Sequence, residues 1–196
     1  MANPVLRGFR NLTTFSGRDT RGQFWPYAAV VLVVVFIASG VGMTVAMSGF
    51  FAEMQQFAAA HPEATTVQSS PGSYSISIDA GHPEAPMPDL RDFFVTLGLS
   101  VLSAIALLAA AVSRRLHDSG RSALWGLLPV PFVLFGIGLF PVLMNSMMTG
   151  AEPDLGLFLL LFGNNMLYLA ALGTLVILLS LSTAPGVKRH GEQPAP

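Results

Sequence analysis

Four stretches of this chain contain no Asp, Glu, Lys, Arg or His, and they decide what it can fold into. They run from Phe24 to Phe51, Phe93 to Val112, Ala123 to Met144 and Leu155 to Leu181. An apolar helix of about 20 residues crosses roughly 30 Å of hydrocarbon. Each stretch meets that length, so the sequence predicts four transmembrane helices. Composition agrees: charged residues make up 11% of the chain and its mean hydropathy is +0.59, whereas about a quarter of a soluble domain is charged. A secretory signal peptide is the competing reading of the first stretch, because arginines precede it and Ala46-Met47-Ser48 has the small-x-small look of a cleavage site. The stretch is longer than the roughly 7–15 residues of a signal core, which favours a retained span.

Orientation follows from the basic residues, which resist translocation. Nine of the ten Lys and Arg are Arg7, Arg10, Arg18, Arg21, Arg114, Arg115, Arg121, Lys188 and Arg189, all in alternate connections. The other connections hold Arg91 with Glu53, Glu63, Asp79, Glu84, Asp89, Asp92, Glu152 and Asp154. The expectation is a bacterial inner-membrane protein with both termini cytoplasmic. Trp25 and Trp125 fall at the cytoplasmic ends of spans one and three as interface anchors.

The predicted architecture is an all-α, four-helix bundle of two helical hairpins forming one membrane domain. It comprises a cytoplasmic segment 1–23, spans 24–51, 93–112, 123–144 and 155–181, external connections 52–92 and 145–154, a cytoplasmic Arg-rich loop 113–122 and a cytoplasmic tail 182–196. Thr20 with Gln23 forms a capping-box pattern at the first span. Asn3-Pro4 reads as a cap and first helical position, with Val5, Phe9 and Leu12 on one face of a short interfacial helix. Phe50, Met54 and Phe57 suggest a second such helix. Beyond it, Tyr74, Ile76 and Ile78 alternate like a strand, consistent with a loop or a small hairpin.

The densest polar constellation is Arg114-Arg115-Leu116-His117-Asp118-Ser119-Gly120-Arg121-Ser122. Guanidinium forks bind phosphate or carboxylate, Asp118 orients one of them, and Gly120 permits a tight turn. Basic topology signals and ordinary turn chemistry account for the same residues. With Arg18 and Arg21, this cluster is the candidate contact for an anionic lipid headgroup or an acidic partner.

These motifs resemble a family, the YhaH/YhaI-like bacterial inner-membrane proteins, domain of unknown function 805. The family pattern entering the first span is similar to Gly17, Arg18, Arg21, Phe24 and Trp25. A second matches Arg114, Arg115, Leu116, His117, Asp118, Arg121, Ser122 and Trp125, followed by a proline resembling Pro129 or Pro131. A third is partly kept as Pro185, Gly186, Gly191 and Pro194, with Lys188 and His190 departing from it. The resemblance implies a membrane location and no established activity.

No ionisable group lies inside a span, which argues against a proton-coupled pump. Asn164 and Asn165 are the most polar groups there and read as interhelical hydrogen bonders, with Gly163 allowing close packing. Pro129, Pro131, Gly136, Gly138 and Pro141 make the third span the one most prone to kink. Those features also suit a small transporter or channel for an uncharged or anionic solute, the alternative function. Ser16-Gly17-Arg18 and Ser119-Gly120-Arg121 form a faint internal echo.

With no cysteine in the chain, thiolate chemistry is excluded. Met144, Met147 and Met148, and His61 with His82, lack the usual ligand spacing, so no metal and no cofactor are expected. An enzyme using His117 and Asp118 is disfavoured, because neighbours in a helix do not face each other. The expectation is a non-enzyme whose partners are membrane lipids, a second copy or another membrane protein, and not nucleic acid.

Overall fold

The computed structural model describes residues 3–79, 81–86, 90–148 and 154–183, without the side chains of Tyr74 and Met148. The Pro185, Gly186, Gly191 and Pro194 element, with Lys188 and Arg189, lies outside the described residues. Helices α1 (Pro4–Arg10), α2 (Arg21–Ala60), α3 (Arg91–Asp118), α4 (Val130–Met148) and α5 (Leu155–Ser180) carry the fold, with one hairpin of β1 (Thr65–Ser70) and β2 (Ser73–Ile78). Four of the helical segments are long and apolar enough to cross a membrane. Their apolar side chains point outward, as lipid-facing residues do: Phe36 is 79% and Val45 67% exposed.

The helix boundaries correct the sequence reading in three places. First, α2 runs unbroken for 40 residues through Phe50, Met54 and Phe57, so there is no separate second interfacial helix. At 1.5 Å per residue it is about 60 Å long, roughly twice the hydrocarbon thickness. Second, α3 continues to Asp118, which places Arg114, Arg115 and Asp118 in its last turn rather than in a loop. Third, the third span does not begin as an α-helix. A 3-10 turn covers Ala123–Leu127 and α4 starts at Val130, because Pro129 and Pro131 have no N–H to give to a preceding turn.

Caps behave as their chemistry requires. Asn3 Oδ1 accepts from the Val5 N–H at 2.9 Å, and Gln23 Oε1 accepts from the Thr20 N–H at 3.1 Å, which is the reciprocal half of a capping box. The chain leaves α3 through a Schellman turn: the Gly120 N–H donates to His117 O and the Arg121 N–H to Leu116 O. Gly120 takes φ +74° there, a conformation open to glycine at little cost.

The chain forms two compact units. In the unit made of residues 1–37 and 98–196, a core gathers Phe24, Tyr27, Ala28 and Val31 of α2, Ala111 and Leu116 of α3, and Leu175, Leu178 and Leu179 of α5. The Tyr27 hydroxyl donates to Leu107 O at 2.7 Å and joins α2 to α3. Helix α1 packs on α2 through Gly8, where an added Cβ would lie 2.2 Å from Tyr27 Cδ2, while Phe9 meets the same ring edge-on. Helices α4 and α5 pack together, and Asn164 Nδ2 donates to Phe132 O at 2.9 Å. The interhelical role expected of Asn164 is met; Asn165 is exposed. The close approach is at Gly136, whose added Cβ would lie 3.4 Å from Asn164 Nδ2, and not at Gly163, where nothing comes within 4 Å.

The second unit, residues 38–97, contains the hairpin. Its strands pair antiparallel from Thr65 opposite Ile78 to Ser70 opposite Ser73. Pro71-Gly72 closes it, with Gly72 at φ +85°, the arrangement of a turn with Pro at its second position and Gly at its third. Tyr74, Ile76 and Ile78 thus have a strand partner, in Thr65–Ser70.

Candidate functional site: a buried arginine and aspartate lattice

Arginines near a membrane surface ordinarily keep their heads in water. Here three of them do the reverse: Arg18 and Arg114 are 4% exposed and Arg115 is fully buried, as is Asp118. The last turn of α3 brings them together because Arg114 and Asp118 are four residues apart and Arg115 and Asp118 three apart, spacings that share one helix face.

Asp118 is the centre of the arrangement. Its Oδ1 accepts from Arg18 Nε at 3.2 Å, and its Oδ2 accepts from Arg115 Nη1 at 2.5 Å and from the Thr183 hydroxyl at 2.7 Å. Asp19 forms the reciprocal pair, its Oδ2 accepting from Arg114 Nε at 2.7 Å. The consecutive residues Arg18 and Asp19 therefore exchange opposite charges with Asp118 and Arg114. Arg7 Nη2 stands 3.1 Å from Asp19 Oδ1, an ion pair without the alignment of a hydrogen bond.

Four guanidinium groups thus share two carboxylates, and backbone carbonyls, most of them at helix ends, take up further donors. Arg114 Nη1 donates to Asn11 O at 2.7 Å and to Thr14 O at 2.5 Å. Arg115 Nε donates to Leu179 O at 2.8 Å, and its Nη2 donates to Leu181 O. Arg18 Nη2 donates to Asp118 O at 3.0 Å. The acceptors at Leu179, Leu181 and Asp118 are orphan carbonyls at the negative ends of α5 and α3, where a cation is favoured. Buried charges are tolerable when paired and hydrogen-bonded, and every carboxylate oxygen of this lattice except Asp19 Oδ1 accepts a hydrogen bond.

The remaining sequence-selected residues fall outside the lattice's core. Arg21, at the first position of α2, and Arg121, just past the glycine turn, are exposed. His117 is half-buried, on a different side of α3 from Asp118. With both its carboxylate oxygens occupied, Asp118 is not placed to move a substrate proton. Trp25 and Trp125 are 38% and 41% exposed. Gly17 and Gly120 of the two Ser-Gly-Arg segments both have positive φ, but Arg18 is buried and Arg121 is not.

Sequence reading missed Asp19, Arg7 and Thr183. A signal for Asp19 was present: residues 1–23 and 113–122 each contain a single carboxylate, Asp19 and Asp118, amid arginines. An acid in a segment whose positive charge fixes topology calls for a pairing role.

Apolar spanning helices around a buried ionic knot define a multi-pass membrane protein. The chain belongs to the family of proteins of unknown function DUF805, whose profile matches residues 12–192. Among curated proteins and solved structures, none matches the chain.

Proposed function

We propose that the chain is a non-enzymatic protein of a bacterial inner membrane, with both termini cytoplasmic, that gathers anionic lipid headgroups at its basic face. The lattice of Arg18, Arg114, Arg115 and Asp118 is the frame of that face, and exposed Arg21 and Arg121 are its contacts. The observation that carries this reading is the charge imbalance of the knot, four guanidiniums to two carboxylates. The surplus leaves a positive field beside Arg21 and Arg121, and each basic residue near an anionic leaflet contributes about 1 kcal/mol of attraction.

Lipid co-purification tests it. Protein extracted from membranes with Arg21 and Arg121 both changed to Gln should retain markedly less phosphatidylglycerol and cardiolipin than the native protein, with equal phosphatidylethanolamine. Equal retention of all three would end the proposal. Orientation is checked separately on the cysteine-free chain: a cysteine at Arg121 should resist, and one at Gln68 accept, a membrane-impermeant maleimide in intact cells. Solute flux is the competing reading; Asn164, one of the two amides that suggested it, commits one of its two N–H donors to the Phe132 carbonyl.

A further inference from the structure

The tetrapeptide His-Pro-Glu-Ala occurs twice, at 61–64 and 82–85. The two copies flank the hairpin, and its pairing brings them side by side at the open end. The ladder continues one step past the strands, where the Asp79 N–H donates to Ala64 O at 2.9 Å. Pro62 begins a 3-10 turn over Pro62–Ala64. On the other side Asp79 turns the chain, its Oδ1 accepting from the Gly81 N–H at 2.9 Å.

The two imidazoles end 4.7 Å apart, centroid to centroid. Both rest against Phe57, at 4.7 and 5.2 Å, and Phe57 is buried. One side of the pair is thus apolar and the other faces carboxylates. Glu63 Oε1 lies 3.1 Å from His61 Nδ1 and Glu84 Oε2 lies 3.2 Å from His61 Nε2. The His82 Nδ1 accepts from the Glu84 N–H at 3.3 Å, which marks that nitrogen as the ring's lone-pair side.

A neutral imidazole has one N–H and can donate to one carboxylate only. His61 faces a carboxylate at each nitrogen, more acceptors than a neutral ring can serve, and a metal ion at one of them would balance the pair. The ligand atoms of His61, Glu63 and His82 all lie within 4.8 Å of one another. Tetrahedral ligands at zinc–nitrogen distances of about 2.0–2.1 Å are about 3.4 Å apart, so a closure of roughly 1.5 Å completes a shell. Glu63 has an exposed side chain that can supply that movement.

We propose that the paired His-Pro-Glu segments bind one divalent transition-metal ion through His61, His82 and the Glu63 carboxylate, clamping the base of the hairpin. Two imidazole nitrogens and a carboxylate oxygen suit zinc, copper or nickel better than magnesium or calcium, which prefer oxygen alone.

Untagged full-length protein in nanodiscs is titrated with zinc against a competing fluorescent chelator at neutral pH. One saturable site per chain is expected, weakened at least tenfold by His61→Ala and by His82→Ala and unchanged by Gln68→Ala. Copper loaded at one equivalent should show pulsed-EPR couplings from two imidazoles, falling to one in either His variant, which reads the site even if the hairpin loosens. Absence of saturable zinc binding, or tight binding that survives both substitutions, overturns the proposal.

Discussion

The Arg18 guanidinium reaches across a hundred residues of sequence to Asp118, donating to its carboxylate at 3.2 Å and to its carbonyl at 3.0 Å. A pair this deeply buried adds little net stability relative to an apolar pair, but losing one partner strands a charge without water.

Asp118→Asn should therefore cost about 3–5 kcal/mol, since Arg18 and Arg115 both lose their carboxylate. Unfolding followed through Trp25 and Trp125 fluorescence measures it. Adding Arg18→Met to that variant should cost less than the two single changes summed, with a coupling of about 0.5–3 kcal/mol. Strict additivity would mean that the pair does not interact.

At Gly8 the argument is steric. A methyl group there meets the Tyr27 ring at 2.2–2.6 Å, so Gly8→Ala should destabilise by about 1–3 kcal/mol. Tyr27→Leu in the same chain should remove most of that increment. If Gly8→Ala costs the same in both backgrounds, α1 does not dock on α2 through this contact.

Gly120→Ala tests the glycine turn. Holding a residue with a Cβ at φ +74° costs about 1–2 kcal/mol, and the loss should appear in thermal unfolding. Gly138→Ala is the control, since an added Cβ there meets nothing within 4 Å; a similar loss in both would refute the conformational explanation.

The adjacent amides of α5 should separate cleanly. Asn164→Leu removes the bond to Phe132 O and should cost about 0.6 kcal/mol, the average for such bonds within membranes. Asn165→Leu, on an exposed position, should be neutral or stabilising in reversible unfolding from bicelles.

The spans were legible because the absence of charge over 20 or more residues has one stable environment, and the caps at Asn3 and Thr20 because their donors are local. The end of α2 was not. The uncharged stretch stops at Phe51, before Glu53, yet a charge does not terminate a helix, and the chain turns only at His61-Pro62. The start of α4 was half legible: Pro129 and Pro131 announced irregularity without saying that it would be a 3-10 turn.

The candidate site shows the same division. Arg114, Arg115 and Asp118 stood out by density, but their density suggested a wet, basic loop. Burial came from partners that no local window contains: Asp19 from before the first span, and the carbonyls of Leu179 and Leu181 from the end of the last. The likeness of residues 61–64 to 82–85 was visible in the letters, but ligand spacing alone hid it, since the intervening hairpin and not the count of residues brings the two histidines together.

The bonds of Arg115 also set an order of events during synthesis. Its guanidinium is placed when α3 is made, whereas the carbonyls of Leu179 and Leu181 that complete its bonding leave the ribosome more than sixty residues later. Until then Arg115 has Asp118 and water as partners, so the last helix to be made is the one that completes its bonding.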